Sequence, residues 1–307
     1  MSVQSKLPSD LAFLCKSAEI LKQEFQSIPN GYYTDMPPEL EGKFESALNF
    51  GNASKNRYAN ILPYDSTRVI LPSEYLDEND YINANWCLKG RIIISQGPLK
   101  VGQKGYEGHH RDFYHMLFTN RCSAIAMVTG YVEGSRDKCS RYLPEDGESK
   151  IIGKYLVSVI SNESVQNPLL KEAGIQISMI NIKMSKSFGQ GIEQKITHYH
   201  LPTWADNKGA NAKVVALLAR TMLKEERPLV HCSAGIGRSG TLVAVMAAYE
   251  AIKDGNRDEN LVVKVVTSLR TERHGAVQAR DQYETIYESL KVMIEEDMVA
   301  RESSPKE

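Results

Sequence analysis

Pro228-Leu229-Val230-His231-Cys232-Ser233-Ala234-Gly235-Ile236-Gly237-Arg238-Ser239-Gly240 sets a thiol and a guanidinium at the two ends of one glycine-bearing turn. Five residues lie between Cys232 and Arg238, so one curl of the chain brings both groups to the same small volume. An apolar strand-like run precedes the turn and a strongly apolar helical run, residues 241–252, follows it. The amides of Ser233, Ala234, Gly235, Ile236 and Gly237 can point inward as an anion-holding nest. Gly235 and Gly237 tolerate positive φ and let the backbone approach a ligand closely. The following helix aims its N-terminus at the same point, adding roughly half a positive charge. In such a field a thiol that ordinarily titrates near ~8.5 falls to ~3.5–7.5 and becomes a thiolate at neutral pH. The chemistry this allows is in-line displacement of a phosphoryl group onto Cys232, with the planar fork of Arg238 holding two equatorial oxygens.

A lone cysteine is ordinarily an inert core residue. Here, however, residues 231–240 resemble the signature loop of the cysteine-based protein tyrosine phosphatases, and further motifs of that family follow in its order. The resemblance implies that Ser239 hydrogen-bonds the thiolate and that His231 orders the loop and tunes the thiol. Residues 55–65 alone would read as a polar loop with a packing aromatic. They resemble the family's phosphotyrosine-recognition loop, which implies that Tyr58 walls a deep slot and that Asn60 meets the substrate backbone. A deep slot admits an aryl phosphate to the nucleophile, whereas the shorter phosphoserine and phosphothreonine stop short.

Departure of a tyrosyl oxygen needs a proton, and a carboxylic acid on a closable loop is the natural donor. Asp206, two residues after Trp204, resembles the acid of the family's Trp-Pro-Asp loop, with Ala205 where proline is expected. Proline stiffens such a loop, so alanine is expected to change how it closes. The segment from Asp206 to Cys232 is also shorter than is usual in the family. As a plain sequence feature, Asp206 would equally serve as a helix N-cap. The charged run 131–139 is ordinarily a solvated face; by resemblance, Glu133 pairs with Arg238 and Lys138 lies near the acid loop. Gln278 and Gln282 match the family's water-positioning pair, with Gln278 first. A glutamine is an uncharged donor and acceptor able to align water on a cysteinyl-phosphate. Gly275 matches a small residue bordering the catalytic opening, and Arg270 a secondary phosphate contact.

These groups need a scaffold. Leu11, Leu14, Ala18, Leu21 and Phe25 recur at helical spacing, and Pro37-Pro38 opens a second helix through Leu48. Residues 1–50 therefore read as a helical cap over a sheet edge. Residues 80–86, 91–99, 122–129, 155–160, 175–182 and 195–201 read as strands, and residues 259–270 as a helix. Residues 100–110 read as an exposed insertion with solvated His109 and His110. His198 and His200 share a strand face without a third metal ligand. A closing amphipathic helix runs to Val299, and residues 301–307 read as a disordered tail.

The 307 residues carry 37 basic and 38 acidic side chains, which gives no global pull toward nucleic acid or an acidic membrane. No apolar run reaches the ~18–20 residues of a membrane span, and no signal-peptide core stands at the start. Cysteines 15, 87, 122, 139 and 232 are odd in number, scattered and without paired metal spacing, which points to a reducing compartment. The expected architecture is one α/β domain over residues 1–300, a twisted mixed sheet flanked by helices with the motif loops at one rim. The expected activity is hydrolysis of protein phosphotyrosine through a cysteinyl-phosphate, without metal or other cofactor, by a cytoplasmic, monomeric, non-receptor enzyme. A phosphotyrosine-holding pseudophosphatase, motivated by Ala205, and a dual-specificity phosphatase remain the alternatives. A low thiol pKa also makes Cys232 oxidisable to a sulfenic acid, with condensation onto the Ser233 nitrogen as its protection.

Overall fold

Apolar runs long enough to be buried on both faces become the central strands, and the computed structural model shows how they are ordered. It describes residues 7–29, 31, 40–72, 80–160, 167–184 and 191–303. In chain order the strands are β1 (Arg68–Ile70), β2 (Tyr81–Cys87), β3 (Ile92–Ser95), β4 (Ala124–Met127), β5 (Val132–Glu133), β6 (Arg136–Asp137), β7 (Ser149–Ile152), β8 (Tyr155–Ile160), β9 (Gln176–Met184), β10 (Glu193–His200) and β11 (Pro228–His231). The helices are α1 (Ala18–Ser27), α2 (Glu45–Leu48), α3 (His109–Thr119), α4 (Pro168–Glu172), α5 (Ala212–Met222), α6 (Gly237–Lys253), α7 (Leu261–Glu272) and α8 (Arg280–Ser303).

Nine strands form one mixed sheet in the order β1-β2-β3-β11-β4-β10-β9-β8-β7, and β5 and β6 form a separate hairpin. The four central strands β3, β11, β4 and β10 run parallel, while both flanks are antiparallel. Every residue of β3, β4 and β11 is buried, as expected of parallel strands covered on both faces. Side chains alternate across β11: Leu229 joins the cluster under α3, whereas Val230 joins the larger one under α5 to α8. The α/β architecture expected from the sequence is thus present, with layers of helix on both sides.

Parallel topology has a functional consequence. The carboxyl ends of all four central strands point the same way, and such ends are where open α/β sheets hold ligands. β11 leads into Cys232, β10 into Trp204 and Asp206, β4 toward Glu133, and β3 into Gln96 and Gly97.

Several expectations need correction. The N-terminal cap divides: α1 and the turn before it cover the helical layer, where Tyr283 and Tyr287 of α8 both donate to Glu24 and Arg257 pairs with Asp10. Leu40, Phe44 and Ala47 instead pack with Tyr81 of β2 near the sheet edge. Pro37-Pro38 lies outside the described residues. Residues 109–110 are no solvated insertion, because α3 starts at His109 and both histidines are buried, bonded to Gln103 O and Ser140 Oγ. β7 was not expected, and α4 occupies the connector before β9. α8 continues through Ser303, so the first residues of the expected tail are helical; residues 304–307 lie outside the described set. No helix among the described residues is long and apolar enough to cross a membrane.

Candidate active site

The loop from Cys232 to Gly237 connects central strand β11 to α6, and its shape is enforced by contacts on its outer side. Gly235 has φ +71°, and a Cβ there would sit 2.2 Å from Ser95 O, so only glycine fits. Arg273, fully buried, donates from Nε to Gly235 O at 3.0 Å and from Nη2 to Ala234 O at 2.9 Å. With those carbonyls drawn outward, the amides are left facing the cysteine. Gly235 N reaches Cys232 Sγ at 3.3 Å.

Cys232 is 2% exposed. Burial alone would push its thiol up, but the Arg238 charge, the Ser239 hydroxyl and amide and the Gly235 amide outweigh it and hold it below the ordinary thiol value. Ser239 Oγ is buried and has no other hydrogen-bond partner among the described residues, which leaves the sulfur as the group it serves. His231 sits at the end of β11 with Nδ1 facing Cys232 O at 3.2 Å and Nε2 bonded to the Tyr142 hydroxyl at 2.8 Å. That hydroxyl also meets His198 Nε2 at 2.8 Å. Burial drives His231 down to about 3, so the ring stays neutral and orients the loop without adding charge.

Arg238 opens α6 with a side chain of zero exposure. Its Nη1 donates to Glu133 Oε1 and, at 2.7 Å, to Trp204 O. Its Nε and Nη2 are buried donors without a hydrogen-bond acceptor, although Asp206 Oδ1 lies 3.3 Å from Nη2. Glu133 also takes the Asp206 amide at 3.3 Å, so one carboxylate orients both the arginine and the acid loop.

Asp206 accepts from Lys138 Nζ at 2.5 Å. Burial pushes its carboxyl up, but the Lys138 hydrogen bond and the charges of Arg238 and Lys138 prevail and keep it below the usual carboxylate range. Trp204, nearly buried, donates Nε1 to Lys208 O at 2.9 Å and closes the loop on itself. Asp206 is not a helix cap; Asn211 caps α5 through Lys213 N. Tyr58 stands over the loop with its hydroxyl 2.9 Å from Ser233 Oγ, and Asn60 lies in the same partly exposed turn.

Gln282 is buried and accepts from the amides of Gln278 and Ala279 at 3.0 and 3.1 Å, so it is no surface glutamine. A Cβ on Gly237 would meet Gln282 Nε2 at 2.8 Å and Gln278 Oε1 at 3.2 Å, which puts both amides against the loop. Gly275, buried and with φ +71°, turns the chain between α7 and α8. Arg270 is not available to a second phosphate. It is 2% exposed, and its guanidinium donates to the carbonyls of Ala276, Val277, Ile28 and Pro29.

The sequence reading missed Arg273 and Tyr142, whose partners are distant in sequence. It also missed Gln96, which accepts from Arg57 N at 2.8 Å and donates to Lys55 O at 2.7 Å, fixing the Tyr58 loop to the end of β3. Among the described residues no group of three or more His, Cys, Asp or Glu could hold a metal ion.

The protein-tyrosine phosphatase family profile matches residues 52–291, which hold every one of these groups. The chain is 31% identical over 266 residues to tyrosine-protein phosphatase non-receptor type 20 of Rattus norvegicus, covering 82% of this chain and 56% of that protein. It is 32% identical to tyrosine-protein phosphatase non-receptor type 13 of Mus musculus over 78% of this chain and 9% of that protein. To receptor-type tyrosine-protein phosphatase eta of Gallus gallus it is 32% identical, over 76% of this chain and 16% of that protein. The chain thus spans between about a tenth and just over half of these relatives. With the cysteine, arginine, acid and glutamines converging on one loop, the profile match assigns the chain to the protein-tyrosine phosphatase family.

Proposed function

We propose that the protein hydrolyses phosphotyrosine in protein substrates through a cysteinyl-phosphate. One observation carries the reading: a thiol held toward its anion lies beside a buried arginine whose Nε and Nη2 donate no hydrogen bond among the described residues, with only the Asp206 carboxylate near Nη2. Nitrogen donors in that condition are costly unless an oxyanion accepts them.

The phosphotyrosyl ring enters beside Tyr58, and its oxygens take Arg238 and the amides of Ser233 to Arg238. The Cys232 sulfur forms a bond to phosphorus as the bond to the tyrosyl oxygen breaks. That oxygen keeps the electron pair and receives a proton from Asp206. Free Asp206 is held ionised by Lys138 and Arg238. A phosphate dianion that absorbs the arginine's charge relieves this pull and raises the carboxyl, so binding substrate arms the acid. In the second half, Gln278, backed by Gln282, aligns water; the water oxygen bonds to phosphorus as Asp206 takes its proton, and the phosphorus–sulfur bond breaks with its electron pair on sulfur, eased by Ser239. Asp206 lies on Arg238 with alanine at 205, which supports turnover over mere phosphotyrosine holding. The Tyr58 wall supports selectivity for aryl phosphates over phosphothreonine. A soluble cytoplasmic monomer acting in signalling, with a reversibly oxidisable Cys232, is part of the same reading.

Hydrolysis of p-nitrophenyl phosphate and a phosphotyrosyl peptide tests it. Cys232→Ser is expected to abolish turnover while keeping peptide binding, and Asp206→Ala to lower kcat by ~10²–10⁴. Activity that survives Cys232→Ser overturns the proposal.

A further inference from the structure

The β5–β6 hairpin has two faces, and only one belongs to the catalytic centre. Val132 pairs with Asp137 and Glu133 with Arg136 in register, so successive side chains point to opposite sides. Glu133 and Lys138 reach Arg238 and Asp206. Val132, Asp137 and Cys139 instead line a groove of about 410 Å³ on the other face, closed by Tyr131, Arg141 and Lys150 among others.

The charge of that groove is one-sided. Its lining holds Lys100, Arg141 and Lys150 against the single carboxylate of Asp137, which Lys100 already takes at 2.7 Å. Arg141 and Lys150 have no carboxylate within ion-pair distance among the described residues. The Arg141 guanidinium lies 4.3 Å from the centre of the Tyr131 ring, a stack that fixes its fork in advance. Lys150 stands at the start of β7 near His110, which burial first and the Lys150 charge second depress to about 4. His110 therefore stays neutral and adds no charge of its own. Exposed Val101 and Val132 give the groove an apolar lip.

We propose that this groove is a second anion subsite that reads an acidic group on the substrate peptide flanking the phosphotyrosine. The inference rests on the phosphotyrosine reading above. An extended peptide crossing the exposed hairpin tip, residues 134–136, rises ~3.3 Å per residue, so a side chain two to four positions from the phosphotyrosine lies ~7–13 Å along it, on the groove's side of the hairpin. The anion is a carboxylate or a second phosphate, either of which fits a planar fork and an ammonium.

The test measures phosphotyrosyl peptide affinity on the Cys232→Ser protein, by anisotropy, so that it does not depend on turnover. Three labelled peptides share one core and carry at the flank a neutral residue, a glutamate or a phosphothreonine. The background is compared with Arg141→Ala, Lys150→Ala and the double variant. The acidic flanks are expected to bind several-fold tighter than the neutral one, each cation contributing about 1.5- to 5-fold, with the preference fading in high salt. The double variant is expected to bind all three alike. A larger gain for phosphothreonine identifies phosphate as the ligand, and a gain confined to glutamate identifies carboxylate. Equal binding of the three peptides by the background, or a preference that survives the double substitution, overturns the proposal. Hydrolysis of p-nitrophenyl phosphate, too small to reach the groove, is expected to be unchanged by both substitutions in the active protein and reports separately on the catalytic reading.

Discussion

A lysine ammonium helps to set how acidic the proposed proton donor is. Lys138 bonds Asp206 directly, and its hydrogen bond and charge join Arg238 in holding the carboxyl down against burial. The transition state needs that carboxyl protonated and kcat/KM is referred to the free enzyme, so a depressed value there limits kcat/KM on the alkaline side. Lys138→Met removes a cation that favours the ionised form and therefore raises Asp206. The alkaline limb of kcat/KM for an aryl phosphate is expected to move to higher pH, and a limb that stays put or moves down would assign it to another group. Cys232 and Arg238 were legible because their spacing in one short turn brings chemistry together, and Asp206 because its place after Trp204 resembles the family's acid loop. Arg273 and Tyr142 were not, because they act on Gly235 and His231 across 38 and 89 residues. His110 was misread as solvated for the same reason, since the Ser140 hydroxyl that meets it lies 30 residues on.

The acid loop shows what an element does when its usual stiffener is missing. Asn207 follows Asp206 with φ +54°, in the left-handed region that asparagine tolerates better than most residues. Its own amide helps hold the Asp206 carboxylate. The chain after it packs so closely on α8 that a Cβ on Gly209 would lie 2.6 Å from Thr285 Oγ1. A left-handed turn and a close shoulder thus shape the loop where Ala205 supplies no ring. A β-branched residue at 207 costs ~1–3 kcal/mol of strain, enough to disfavour the closed form about 5- to 150-fold. Asn207→Val is expected to slow phenyl phosphate far more than p-nitrophenyl phosphate, whose leaving group needs less help from an acid, and Asn207→Gly to keep both rates. Equal slowing of the two substrates would assign Asn207 a folding role only. The start of α3 was illegible for a related local reason: Gly108 precedes it without any side-chain cap to announce a helix.

Across the whole molecule, all seven histidines are buried and every one is held below its ordinary value, chiefly by burial. An unfolded histidine binds its proton near ~6.5, whereas folded His231 waits until about 3 and His110 and His274 until about 4. Between those limits the unfolded chain binds more protons, so stability is complete above pH ~6.5 and is lost as pH falls. His231 alone contributes a slope of about 1.4 kcal/mol per pH unit in that window. Melting temperature is expected to fall steeply from pH 6.5 to 4.5, and a flat profile would mean that these rings titrate normally. The sheet order carries a consequence of another kind. β11 begins at Pro228, about a hundred residues after β4 ends at Met127, yet it inserts between β4 and β3. On the ribosome, a growing chain therefore has both walls of the slot before it has the strand that fills it. The nucleophile is installed only after both walls, so a nascent chain that has not yet reached β11 has no means of acting on its neighbours through this site.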